Sequence, residues 1–588
     1  MITVLVVHAL GAAALAIGGP LAVLAVLGAV WAPGLAWSRR LSGDPLQAGI
    51  DAAWIGLLQL VLSLFVVRAL AGGPWALYGL GSAWLVGGLL LRRAPLRRPE
   101  PAVLVGVGGV LLGVLAVAGG FRGELTRPLD AYWYHAAADD EGFEAVPWSA
   151  ADGFGDERRL GWEEAGAGAV HDPDGDGGDL LLPEGGRVVL LLRGPVGASF
   201  SVGDQTAIIQ RDVIEAEQPE AVPRYLDHGM AGMEVRAAPG PLTIRVSSSE
   251  AVTLYVLPGS DAVWSLDESG EVRFVHYYQL LNIVENQRWA AEFTVDRWIT
   301  VNQPPLWSPL LASTVLFAGN GLVEAAGLYL LVLLLVGVSG VRVLALAAPR
   351  APIAAWLLPG AFVAVHGKLM ILPGSWNFPD SLYTAALLGG VAALFQHQRQ
   401  PLRFAAMGLA AGLIRYPGTI VLTVAAALYA VIWRRMPWRA VGALWGTVVG
   451  VGAVLAALAV VSGDFREWLF ILWFETFPEH YHGDYAASSL LPRVPEFYGT
   501  WLRYAGFAPL LALPLAGRPS KLLWGTAVAY STLLCTIDHF PTHYFLPLVA
   551  LSGLAVAANA AALSGPVRQL PPALALAGAT WFFLTGAT

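Results

Sequence analysis

The sequence predicts a polytopic α-helical membrane protein of about fourteen transmembrane helices, each near the ~20 residues needed to cross hydrocarbon, with a β-sandwich-like domain inserted outside the bilayer. Three observations carry this expectation. Hydrophobic residues fill 56% of the 588 positions and charged residues 13%, against about a quarter in soluble domains. Runs such as Pro101 to Gly120, Gly321 to Val338, Val441 to Val461 and Phe545 to Leu563 contain no lysine or arginine. Between Arg122 and Gly259 the composition turns acidic, glycine-rich and turn-rich.

Basic clusters set the topology, because lysine and arginine near helix ends favour the cytoplasmic side. Arg39 with Arg40, the group Arg92, Arg93, Arg97 and Arg98, then Arg342 with Arg350, Arg399 with Arg403, Arg434, Arg435 and Arg439, Arg518 with Lys521, and Arg568 all punctuate apolar runs. Threading the chain through them puts the amino terminus outside and gives spans at 3–33, 48–70, 75–91 and 101–120. After an external segment 121–319 come spans at 320–338, 353–370, 381–396, 404–414, 417–433, 441–462, 499–516, 521–536, 543–563 and 571–587. Met1 to Pro33 is long and starts without a basic region, so it is expected to stay as the first span rather than be cleaved. Gly18, Gly19 and Pro20 mark where that span would break.

Charge and cysteine content bound the rest. The net charge of −8 comes largely from acidic residues between Arg122 and Gln303, a solvated surface. Cys535 is the single cysteine, which excludes an intrachain disulfide and a cysteine metal site. No nucleotide phosphate loop is recognisable, so neither a nucleotide nor a redox cofactor is expected.

In the insert, short apolar or alternating runs at Arg187–Leu192, Ala198–Val202, Met233–Ala237, Leu242–Ser247 and Val252–Leu257, bounded by glycine and proline turns, read as strands. The run Asp172-Pro-Asp174-Gly-Asp176-Gly-Gly-Asp179 sets carboxylates around glycines. It reads either as an acidic turn or as an oxygen cage for a divalent cation (Ca²⁺, Mg²⁺ or Mn²⁺). It lacks the glutamate that closes an EF-hand loop. From Val275 the chain turns helical and aromatic again, with His276, Tyr277, Tyr278 and Trp289.

The stretch Val301-Asn-Gln-Pro-Pro-Leu-Trp-Ser-Pro-Leu-Leu-Ala resembles the juxtamembrane signature of the GT-C superfamily of polyprenyl-phosphate-dependent glycosyltransferases, which includes protein O-mannosyltransferases and lipid A aminoarabinose transferases. Three later motifs extend the resemblance over roughly 101–587. Asn377-Phe-Pro-Asp380-Ser-Leu is similar to the family's second-loop aspartate. Gly408-Leu-Ala-Ala-Gly-Leu-Ile-Arg415-Tyr-Pro-Gly is similar to its helix-breaking basic motif that meets lipid phosphate, and His543-Tyr-Phe-Leu-Pro547 to a late re-entry motif. The resemblance divides the chain into three accessory helices (1–100), the first helix of a GT-C-like core (101–120), a β-rich external domain (121–274), juxtamembrane helices (275–319) and the remaining core (320–588).

Inverting transfer from a phosphate-linked sugar needs a carboxylate to take the acceptor's proton. It also needs positive charge or a divalent ion for the departing phosphate. Asp130, in Arg127-Pro-Leu-Asp130-Ala-Tyr132, is the leading base and Asp380 the second catalytic acid. The family often carries two adjacent acids where this chain has Asp130 and Ala131, so Glu285 and Asp296 stand as alternatives. Arg415 beside a helix break is the phosphate contact, since charge inside an apolar stretch faces a cavity or a partner, and Lys368 could assist it or snorkel. Tyr132, His276, Tyr277, Glu285, Glu479, His480, His482, Asp538, His539 and His543 are expected to line the substrate region.

The expected activity is therefore sugar transfer from a polyprenyl-phosphate donor to an extracytoplasmic lipid, glycan or protein, in a prokaryotic plasma membrane and without nucleic acid. Two other classes fit the same composition: a transporter or flippase of lipid-linked saccharide, and a non-catalytic glycan-binding receptor. No internal repeat favours the transporter.

Overall fold

The computed structural model describes residues 2–121 apart from 19–20, 23, 71–72 and 92–97. It describes strand segments and short turns between 169 and 258. Between 306 and 585 it describes all but parts of 308–321 and the segments 372–378, 398–399, 416–417, 463–489, 514 and 535–541. Most described residues are helical. Among the described residues, six helices are long and apolar enough to cross a membrane: Pro45–Leu64, Pro101–Gly120, Gly327–Ala347, Ile353–Ile371, Trp438–Ala457 and His543–Ala562.

The first expected span, 3–33, is two helices. α1 runs Ile2–Ile17 and ends at Gly18, whose φ of 75° is open to glycine and strained for most other residues. α2 begins as Leu24–Val26, widens through a π turn at Leu27–Trp31 and continues as Ala32–Leu41. α3 (Pro45–Ala69) and α4 (Pro74–Leu90) follow. Asp44 caps α3, its Oδ1 accepting from the amides of Leu46 and Gln47 at 3.0 and 3.2 Å, and Pro45 takes the first helical position, where its missing N–H is not needed. α2 packs on α3 and α4. Gly34 allows the close approach, because a Cβ there would sit 1.9 Å from the Ala52 carbonyl oxygen.

α5 (Pro101–Gly120) belongs with the later helices instead. It packs on α6 (Leu322–Ala347) and most extensively on α7 (Ile353–Ile371). Gly109 and Gly113, four residues apart, face Gly360 backbone to backbone: a Cβ on Gly113 would meet the Gly360 oxygen at 2.3 Å, and one on Gly360 the Gly109 oxygen at 2.1 Å. Small residues at this spacing let membrane helices touch along their main chains.

The bundle continues with α8 (Asp380–Phe395), α9 (Pro401–Ile414), α10 (Gly418–Trp433) and α11 (Trp438–Ser462). It closes with α12 (Leu490–Tyr504), α13 (Arg518–Leu534), α14 (Leu546–Ala562) and α15 (Leu570–Thr585). α14 is buried along nearly its whole length, while most of the Trp438–Ala457 window of α11 faces outward. The expected span 499–516 is not one helix. α12 stops at Tyr504, and Gly506 and Phe507 take left-handed φ of 54° and 62° before a one-turn helix at Ala508–Leu511. α6 differs as well, running past the expected end at Val338 to Ala347. Arg342 is thereby inside the helix and buried, its charge matched by Asp44.

Among the described residues, eight strands form two antiparallel sheets. One has the order β1-β2-β7-β4-β5, from β1 (Ala169–His171), β2 (Gly177–Leu182), β4 (Ser199–Val202), β5 (Gln205–Ile208) and β7 (Gly240–Ser247). The other has β3 (Gly186–Gly194) between β6 (Gly229–Ala237) and β8 (Thr253–Pro258). Leu190 marks the register of the second sheet, opposite Met233 on β6 and Val256 on β8. On β7, Ile244 and Val246 are buried while Thr243, Arg245 and Ser247 are exposed, the two-residue alternation of a one-sided sheet. All five expected strands are present. β1, β2 and β5 are additional, and β2 takes Asp179 out of the acidic loop into a pairing with Val170 and Thr243.

Candidate functional site at one end of the helix bundle

Asp380 opens α8 at Pro379, so its carboxylate sits in the first turn, where the helix dipole favours negative charge. Arg415 is the residue at which α9 ends. Its backbone becomes extended (φ −148°, ψ 120°) two residues ahead of Pro417, which has no N–H to continue the helical ladder. The two ends meet. Arg415 donates from Nη2 to Asp380 Oδ2 at 2.8 Å and from Nε to Oδ1 at 3.3 Å. This is the two-pronged geometry that a planar guanidinium makes with a carboxylate. Asp380 is 2% exposed, and the Arg415 side chain retains 18%.

Other motif residues converge here. The amide of Leu306, in the Pro304-Pro305-Leu306-Trp307 stretch, donates to the Leu413 carbonyl at 3.0 Å, two residues before Arg415. Tyr544, within a 3-10 turn at Thr542–Phe545, places its ring 5.8 Å from the Arg415 guanidinium, within cation–π range. His543 stacks edge-on against Tyr544 at 4.7 Å. Leu306, Asp380, Arg415 and Tyr544 therefore share one end of the bundle.

Two tyrosines that the sequence reading did not single out join them. Tyr383 and Tyr530 have ring centroids 6.2 Å apart, and Tyr530 stands within electrostatic reach of Asp380, Arg415, Tyr383 and Tyr544. The Tyr383 hydroxyl is buried without a hydrogen-bond partner among the described residues, as is the indole N–H of Trp307. Tyr383 lies three residues after Asp380 on one helix face, a spacing that could have flagged it. His366 is buried beneath the pair, with Nε2 2.8 Å from Ser381 Oγ.

Lys368 does not join this group. Its ammonium donates to the carbonyls of Phe582 and Phe583, both at 2.8 Å, in the last turns of α15. It satisfies carbonyls that the end of that helix leaves open. Among the described residues, no three His, Cys, Asp or Glu side chains gather as a metal site. Asp130, Tyr132, Asp172, Asp174, Asp176, His276, Tyr277, Glu285, Glu479, His480, His482, Asp538 and His539 lie outside the described residues.

Compared with protein-family models, curated proteins and solved structures, the chain matches none of them.

Proposed function

We propose that the chain is a membrane glycosyltransferase with a GT-C-like core of α5 to α15, moving a sugar from a polyprenyl-phosphate carrier to an extracytoplasmic acceptor. The observation supporting this reading most is the meeting of Leu306, Asp380, Arg415 and Tyr544, one from each motif of the resemblance, at one end of the bundle. The basic-cluster topology puts those helix ends on the external side. In the same topology 121–319 is external, the two sheets build a sandwich-like domain there, and the chain crosses the membrane about fourteen times, its helices near the usual spanning length.

In this reading Arg415 neutralises the phosphate as the sugar–oxygen bond breaks. Asp380, with both oxygens engaged by Arg415, holds the guanidinium in its plane rather than acting as a free base. The acceptor's proton passes to Asp130 as the acceptor oxygen attacks the sugar carbon from the face opposite the phosphate. Tyr383, one turn along α8 from Asp380, supplies a neutral donor beside the charged pair.

The test is transfer by the purified full-length protein in vesicles given polyprenyl-phosphate-linked monosaccharides. Arg415→Gln and Asp130→Asn should each lower transfer by about 100-fold or more, the scale of losing a transition-state donor or base. Full activity in Asp130→Asn removes that residue from the mechanism. Movement of intact lipid-linked saccharide across the bilayer, with no bond cleaved, would favour a flippase.

A further inference from the structure

At the opposite end of the bundle, six polar side chains form an unbroken line between the amino-terminal helices and the later ones. Asp44 Oδ2 pairs with Arg342 Nη1 at 2.5 Å, and Arg342 Nε donates to Gln47 Oε1 at 2.8 Å. Gln47 Nε2 donates to Asp51 Oδ1 at 2.7 Å. Asp51 Oδ2 accepts from Arg403 Nη2, and Arg403 Nη1 donates to Gln400 Oε1. Two aspartates and two arginines balance in charge, and Gln47, Asp51 and Arg342 are buried. The contacts join α3 to α6 and to the first turn of α9.

The placement on α9 is what gives this line a consequence. Arg403 and Arg415 stand at the two ends of one 14-residue helix, about 18 Å apart along its axis at 1.5 Å per residue. The helix between them is tightly seated: Thr419 Oγ1 donates to the Gly408 carbonyl at 3.0 Å, and a Cβ on Gly408 would meet Leu444 at 2.3 Å. A short helix gripped along its side moves as one body, so a hold on its first turn fixes the axial position of its last. A buried charge stays where its partner is, because leaving that partner strands it in an apolar medium.

We infer that the amino-terminal helices act as a positioning clamp on α9, with Asp51 holding Arg403 at one end so that Arg415 meets Asp380 at the other. This gives α1 to α4 a role toward the site without contact with it, and it rests on Arg415 belonging to the functional end. Asp51 and Arg403 are positioning residues here. Arg342 and Gln47 keep the Asp51 carboxylate turned toward Arg403.

Hydrogen–deuterium exchange on the full-length protein in nanodiscs tests this without reference to activity. Asp51→Asn should quicken exchange about tenfold at 409–415 as well as at 400–405, the size of a modest local destabilisation, while α14 exchanges as in the wild type and shows the fold intact. The exchanged pair, Asp51→Arg with Arg403→Asp, should return 409–415 toward wild-type protection. If Asp51→Asn does not fold, Arg403→Lys, which keeps the charge and loses the planar fork, carries the same comparison at smaller size. Faster exchange confined to 44–51 and 400–405, or a charge exchange that leaves 409–415 unprotected, overturns the inference. Wild-type exchange at 409–415 in a folded Asp51→Asn likewise overturns it, whereas a wild type that transfers no sugar, with 409–415 loosened in Asp51→Asn, counts against the proposed function alone.

Discussion

Asp380 and Arg415, 35 residues apart in the chain, join the start of α8 to the end of α9 through two charge-assisted hydrogen bonds at 2.8 and 3.3 Å. Removing one partner strands the other, so Asp380→Asn and Arg415→Gln should each destabilise the protein by about 3 kcal/mol. The double variant should lose less than the sum of the two, because it leaves no stranded charge. Denaturant titration of the four proteins measures the coupling. Additive losses would mean the two groups do not depend on each other.

Lys368 separates a helix-end contact from a phosphate contact. Its hydrogen bonds to the Phe582 and Phe583 carbonyls predict that Lys368→Met loosens the end of α15, costing about 1–3 kcal/mol. Donor binding should be unchanged. A variant of wild-type stability that has lost affinity for polyprenyl phosphate would return Lys368 to the site.

Gly360 controls the seating of α5. A side chain there collides with the Gly109 backbone, which cannot rotate away, so Gly360→Leu should cost about 3 kcal/mol or more by overpacking. Thermal unfolding in detergent reads the loss. Gly108, which has open space around it, is the matched control, and Gly108→Leu should unfold near the wild-type temperature.

Ser381 gives buried His366 its partner. Ser381→Ala leaves that ring nitrogen without it and should destabilise by about 1–3 kcal/mol. Ser381→Thr, which keeps the hydroxyl, should recover most of the loss. Equal stability of the alanine and threonine variants would show that the hydrogen bond contributes nothing.

How much of this was legible in the sequence depended on the range of the signal. Helices α3 to α5, α7, α8 and α11 were readable because apolar length is a local property, and five strands because alternation between turns is local too. Asp380 and Arg415 stood out as charges at helix boundaries, though nothing local said that they pair with each other. The line from Asp44 to Gln400 was invisible for a related reason: Arg342 and Arg403 look like ordinary cytoplasmic-side arginines until Asp44 and Asp51 are placed against them. The same assumption ended α6 too early, since an arginine with a buried partner does not need to reach water. The breaks at Gly18 and at Gly506–Phe507 are backbone events. The first carried a glycine–proline signal, whereas Phe507 gave none.

In the proposed function, the end of the bundle built by Asp380 and Arg415 receives a lipid-linked phosphate. Binding of a polyprenyl phosphate to the full-length protein in nanodiscs, compared between wild type, Arg415→Gln and Lys368→Met, addresses it most directly. Binding should be saturable, weaken at least about tenfold in Arg415→Gln, the loss of one charge-assisted contact, and be kept in Lys368→Met. Equal affinity in wild type and a folded Arg415→Gln would contradict it.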